Sequence, residues 1–70
     1  MRIGKKHALR LATETLRNTG RDPDRYDATT SEDDTEWEIA FVGKAPRRPG
    51  DETYVYVSKS DGRIRVMQGE

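Results

Sequence analysis

The stretch Thr35-Glu36-Trp37-Glu38-Ile39-Ala40-Phe41-Val42 decides the fold, because its side chains alternate between two characters. Successive side chains of an extended chain point to opposite faces, so Trp37, Ile39 and Phe41 share one face and Glu36, Glu38 and Ala40 the other. The first set holds much of the chain's large apolar surface and must face a core. The carboxylates must face away from it. Such a half-buried strand needs neighbours in a sheet and a layer packed on its apolar side.

The layer lies upstream. Over residues 5–19, Ala8, Leu9, Ala12, Leu16 and Thr19 recur at three- and four-residue steps with Leu11 beside them, while Arg10, Glu14, Arg17 and Asn18 fall on other faces. This is the stripe of an amphipathic helix. Gly20 is placed to stop it in the left-handed conformation, and Asp22-Pro23 forbids continuation and starts a turn, with Asp22 as a candidate cap.

Downstream of the helix the period is two. Tyr26 to Ser31 is a weaker strand that ends at the acidic turn Glu32-Asp33-Asp34. After the decisive strand, Gly43 to Asp51 reads as a loop, Glu52 to Ser58 as a strand, Ser60-Asp61-Gly62 as a tight turn and Arg63 to Met67 as the closing strand. The consistent register sets Val55, Val57, Ile64 and Val66 against the helix. Tyr54, Tyr56, Arg63, Arg65, Glu36 and Glu38 then share the opposite face.

The expectation is one α+β domain over residues 1–70, an N-terminal helix on a 3–4-stranded antiparallel meander in the order 1-2-3-4. Its expected core is Leu9, Ala12, Leu16, Trp37, Ile39, Phe41, Val55, Val57, Ile64 and Val66, with Ala8, Leu11 and Tyr26 at the margin.

Composition narrows the function. Seventy residues bury a small core, and with no Cys and one His there is neither a disulfide scaffold nor a zinc set to support it. Packing must suffice, with self-association as a further source of stability. Charged residues make up 37% of the chain, but they balance to zero net charge and the apolar residues are periodic, which separates it from disordered sequences. No stretch reaches the ~20 apolar residues of a membrane-spanning helix. The basic start Met1-Arg2-Ile3-Gly4-Lys5-Lys6 has no apolar run behind it, so the expected location is cytoplasmic, or the envelope if a leader has been removed. Residues 2–25 hold seven basic and three acidic side chains, and residues 26–45 six acidic and one basic. This asymmetry points to attraction between helix and strands within the fold, and argues against a nucleic-acid face.

Candidate chemistry is sparse. A Ser-His-Asp arrangement would rest on His7, a first-turn helical residue between Lys6 and Ala8, where a solvated side chain is the simpler reading. The acidic group Glu32, Asp33, Asp34, Glu36 and Glu38 reads as a solvated turn and outer strand face rather than a hard-cation site. Pro46-Arg47-Arg48-Pro49 has PxxP spacing, and its two arginines are the best local case for phosphate contact. No cofactor, metal, small-molecule substrate or enzymatic activity is expected. Tyr54, Tyr56, Arg63 and Arg65, with Glu36 and Glu38, combine residue types enriched at binding hot spots and form the candidate partner-binding set.

The order of a helix with Ala8, Ala12 and Leu16, the Gly20 stop, Trp37-Glu38-Ile39, Tyr54-Val55-Tyr56-Val57 and Asp61-Gly62-Arg63-Ile64 resembles the small bacterial PepSY-like domains. It also resembles short immunity proteins of nuclear-transport-factor-two-like fold. Either resemblance implies a helix on a three- or four-stranded sheet and a non-enzymatic role. The PepSY resemblance further implies association with peptidase propeptides, inhibition and the cell envelope. The resulting expectation is a protein-interaction or inhibitory module, whose partner is another protein or a second copy. The alternative is a weak nucleic-acid binder using the basic helix and the Arg47/Arg48 loop.

Overall fold

The alternation of residues 35–42 is realised as the second of four strands, in a computed structural model that describes residues 3–44 and 52–68. The elements are α1 (Lys5–Asn18), a single 3-10 turn (Pro23–Arg25), β1 (Tyr26–Glu32), β2 (Glu36–Gly43), β3 (Glu52–Ser58) and β4 (Ile64–Gln68). All neighbouring strands are antiparallel and the order is β1-β2-β3-β4, the expected meander. Arg47, Arg48 and the PxxP segment lie outside the described residues.

Helix α1 ends as its sequence requires. Gly20 takes φ +88°, its N–H donates to Arg17 O, and the N–H of Arg21 reaches Leu16 O, so the last carbonyls are satisfied by a left-handed closing turn. Asp22 caps the 3-10 turn by accepting from the N–H of Asp24 at 3.0 Å. The start of α1 is different. Gly4 offers no side-chain cap, and Lys5 and Lys6 stand at the positive end of the helix dipole. Tertiary bonds fix it instead: Ile3 N–H donates to Lys59 O at 2.9 Å, and the Trp37 indole Nε1–H donates to Ile3 O at 2.9 Å.

The register defines two faces. Toward α1 the cross-strand rows are Thr30–Ile39–Val55–Val66, Glu32–Trp37–Val57–Ile64 and Ala28–Phe41–Thr53–Gln68. Ala8, Ala12 and Leu16 meet Ile39, Phe41, Val55 and Val57 in the buried core, with Ile3, Leu9, Leu11, Tyr26 and Trp37 packed at its edge. Two small residues in the helix stripe let α1 lie close to the strands.

The core is narrower than expected. Ile64 and Val66, assigned to it from the register, point to the helix side but remain 40% and 37% exposed. The reason is width: a helix with its side chains spans ~10–12 Å while strands repeat every ~4.8 Å, so one helix covers about two of four strands. It sits mainly over β2 and β3 and leaves most of the two edge strands uncovered, with Tyr26 of β1 reaching the margin of the core. Leu9 and Trp37 are half-buried rather than central, and Ala8, placed at the margin, is fully buried. The expected attraction between basic helix and acidic strands is also not realised through β2, because Glu36 and Glu38 lie on the face turned away from α1. Glu36 is met by Arg65 of β4 instead.

Thr53 is 1% exposed on the helix side, and its Oγ1 has no hydrogen-bond partner. A buried hydroxyl without a partner costs about 1–3 kcal/mol. Thr53→Val keeps the shape and branching and removes the stranded polar atom. It is expected to raise the urea midpoint by an amount equivalent to ~1 kcal/mol or more, with the m-value unchanged. A lower midpoint would show that the hydroxyl is satisfied in solution.

Candidate functional site

The face of the sheet opposite α1 carries the residues singled out from the sequence. Its central rows are Ser31–Glu38–Tyr56–Arg65 and Thr29–Ala40–Tyr54–Met67, which follow directly from the strand register. Nothing among the described residues packs over this face, because the one helix is committed to the other side.

Arg65 organises it. From β4 its side chain leans back across β3, with the guanidinium 4.5 Å from the Tyr56 ring centroid, and Nη2 donates to Glu36 Oε1 on β2 at 2.9 Å. Three strands are thus tied by one charge: a cation–π contact in the middle and a charge-assisted hydrogen bond at the end. The pair is half open, with the Arg65 side chain 62% exposed, so as a surface ion pair it adds little to stability. Tyr54 OH donates to Glu52 Oε2 at 2.8 Å, which pushes its phenol above the ordinary value because the carboxylate favours the protonated form. Tyr56 is pushed the same way, first by partial desolvation and then by the charge of Glu38 and a hydrogen bond to it. Both tyrosines are therefore neutral at physiological pH, each offering an apolar ring with a polar tip.

Five of the six candidate residues are brought together in this way: Glu36, Glu38, Tyr54, Tyr56 and Arg65. Arg63 is not. It precedes β4, its side chain is 89% exposed, and its Nε sits 3.2 Å from Asp61 Oδ2 in the β3–β4 turn. The turn holds it at the rim, where Asp61 also accepts from the Arg63 backbone N–H at 3.0 Å and its carboxyl is held below the ordinary range by that bond.

A second cluster lies at the end of the sheet beside Ile3. Lys59 Nζ donates to Glu32 Oε2 and to Asp33 O, both at 2.6 Å, and stands 4.9 Å from the Trp37 ring centroid. Asp33 Oδ1 accepts from the N–H groups of Thr35 and Glu36 at 2.8 Å each, and those backbone bonds hold its carboxyl below the usual range. The acidic turn is thereby consumed by its own backbone and by Lys59. Nothing in the sequence spacing foretells this cluster, since Lys59 lies 27 residues from Glu32 and meets it only through the meander. The nearby depression lined by Asp34, Thr35, Ser58, Lys59 and Ser60 opens to solvent.

These shifts leave Asp33 and Asp61 ionised and Tyr54 and Tyr56 protonated near neutral pH, the ordinary charge states. His7 is exposed on α1. Among the described residues no group of three or more His, Asp or Glu stands together as a metal site, and no helix is long and apolar enough to cross a membrane.

Comparison with family models, with curated proteins and with solved structures returns no match.

Proposed function

We propose that this chain is a non-enzymatic protein-interaction module, of an inhibitory or immunity kind, that presents its outer sheet face to a partner protein. The observation that supports this reading is the uncovered row Glu38–Tyr56–Arg65, with Tyr54 and Glu36 against it. Tyr and Arg are the residue types that dominate binding energy when a partner removes them from water. Here the two rings lose little side-chain entropy on docking, and Arg65 is already oriented by Glu36 and Tyr56, which lowers the ordering cost of association. The inhibitory kind of role rests on the resemblance to PepSY-like and immunity proteins, and a cytoplasmic location belongs to the same proposal.

Arg65→Glu sets a carboxylate beside Glu36 and Glu38 and removes the cation over Tyr56. As a hot-spot change it is expected to cost about 2 kcal/mol or more, a loss of ~30-fold or greater in partner affinity. Arg63→Glu, at the rim, is expected to change affinity less than ~5-fold. The readout is affinity capture with wild-type and variant baits, followed by titration of the retained protein in purified form. The far-UV circular dichroism of both variants should match the wild type. Undiminished affinity of the Arg65→Glu chain would exclude this face as the binding surface.

A further inference from the structure

We infer that β4 is a self-pairing edge, through which two copies of this chain join their sheets across a two-fold axis centred on Val66. The two edges of the sheet differ. On β1 the exposed side chains are polar or small, with Asp27, Thr29 and Ser31 on the outer face and Glu32 at its end. Such an edge is blunted against pairing. On β4 the exposed side chains include Ile64 at 40%, Val66 at 37% and Met67 at 53%. The one charge that could guard β4, Arg65, is turned inward over Tyr56 to Glu36. Its guanidinium protects the face and leaves the edge apolar.

The hydrogen-bonding groups of β4 point the right way. Ser58 N–H donates to Arg63 O at 2.9 Å just beyond the last ladder pair, Val57–Ile64, so the Arg63 carbonyl points inward at β3. Antiparallel pairs alternate, so Tyr56–Arg65 and Tyr54–Met67 are bonded inward as well. The N–H and C=O groups of Ile64, Val66 and Gln68 therefore face the open edge, and among the described residues no strand lies beyond them. These are the residues whose side chains project toward the helix side, next to the part of the sheet that α1 leaves bare.

A second copy fits this edge in one register. With Val66 opposite Val66 of the other copy, Ile64 pairs with Gln68 and Arg65 stands opposite Met67, so all five strand residues are paired and no two charges face each other. The neighbouring register centred on Arg65 opposes two arginines, which is unfavourable. The register centred on Met67 leaves Ile64 without a partner inside the strand. In the favoured register the Ile64 and Val66 side chains of both copies close an apolar seam between the two helices. The five-residue seam is small, so association is expected to be weak to moderate, with a dissociation constant on the order of 1–100 μM. The pairing does not depend on what the outer face binds: it uses the outward groups of β4, and the outcome of Arg65→Glu capture leaves it untouched.

Sedimentation equilibrium over protein concentrations spanning that range is expected to show a reversible shift from the 8.0 kDa chain to twice that mass. Val66→Lys places two ammonium groups in opposition at the axis and should weaken dimerisation by about 10-fold or more, with circular dichroism and Trp37 fluorescence unchanged. A second variant covers the case in which Val66→Lys fails to fold. The chain has no Cys, so a single introduced thiol reports on its own surroundings. A hydrogen-bonded antiparallel pair places its Cα atoms ~5.5 Å apart, within disulfide range. Val66→Cys should thus cross-link to a covalent dimer under mild oxidation, and Thr29→Cys on β1 should not. A chain that remains at 8.0 kDa throughout, a dimer that forms equally well in folded Val66→Lys protein, or equal cross-linking from Thr29→Cys would each overturn the inference.

Discussion

Leu16→Ala is expected to destabilise the domain by about 2–5 kcal/mol, enough to leave a large unfolded fraction at room temperature. Leu16 is the largest buried residue of α1 and is fully enclosed. It sits one turn before the Gly20 stop, and its carbonyl accepts from the N–H groups of Thr19 and Arg21, so the side chain and the end of the helix are anchored together. A 70-residue chain at the usual ~0.05–0.15 kcal/mol per residue has roughly 4–10 kcal/mol in total, and this one substitution removes a large share of it. Among the described residues the buried core is only seven side chains, with Ala8 and Ala12 too small to fill the gap that the missing isobutyl group would leave. Urea unfolding followed by circular dichroism measures the loss. Leu16→Met, close in volume, should cost less than ~1.5 kcal/mol and keeps the comparison readable if the Ala variant is wholly unfolded. A Leu16→Ala chain whose stability stays within ~1 kcal/mol of wild type would show that α1 does not seal the core.

Trp37→Ala is expected to have the next largest effect, about 3 kcal/mol, the lower end of the range for removing a buried aromatic because Trp37 is only half-buried. Three interactions disappear together. The ring leaves the margin of the core, Lys59 loses the aromatic face beneath it, and Ile3 O loses the indole N–H donor at 2.9 Å. Because α1 has no side-chain cap of its own, loss of the Ile3 anchor should loosen the start of the helix as well as the sheet. Trp37→Phe separates the parts: it keeps most of the apolar surface and deletes the hydrogen bond, and should cost nearer ~1 kcal/mol. Amide exchange at Ala8, whose N–H donates to Gly4 O, should accelerate in both variants relative to Ala12. Unchanged exchange at Ala8 would mean the helix start is held by something other than Ile3 and Trp37.

Much of this architecture is legible in the residues. The period change after Gly20, the alternation of residues 36–42 and the Asp61-Gly62 turn place one helix, four strands and their order, and the observed bounds differ from the expected ones by a residue or so. Among the described residues the two left-handed glycines, Gly20 and Gly62, fall where a stop and a turn require them. Periodicity reports which face a side chain takes, but not whether anything covers that face. Ile64 and Val66 have the right parity for the core and are still solvent-facing, since burial is set by the width of one helix over four strands. For the same reason Thr53, a residue with no signal of burial in its type, is enclosed, because it lies on β3 under the helix.

The candidate site divides in the same way. Strand parity brings Tyr54, Tyr56, Arg65, Glu36 and Glu38 together, and the register that makes Arg65 reach Glu36 across Tyr56 follows from the lengths of the two hairpins. Arg63 has the same parity but lies before the strand begins, where Asp61 holds it. The Lys59–Glu32–Trp37 cluster and the Ile3 anchor depend on long-range contacts that local spacing does not encode. Arg65 connects the two proposals without merging them. By leaning inward it lies over Tyr56 on the candidate binding face and takes its charge away from the β4 edge.

With the outer sheet face as the working surface, the five aromatic residues report on binding directly. Tyr54 and Tyr56 lie on that face, while Tyr26, Trp37 and Phe41 lie on the helix side. Aromatic carbon–proton correlation spectra of the labelled chain, recorded as the purified partner is added, should show the ring signals of Tyr54 and Tyr56 shifting or broadening while those of Trp37 and Phe41 hold their positions. Shifts confined to Tyr26, Trp37 and Phe41, with Tyr54 and Tyr56 unmoved, would contradict the account.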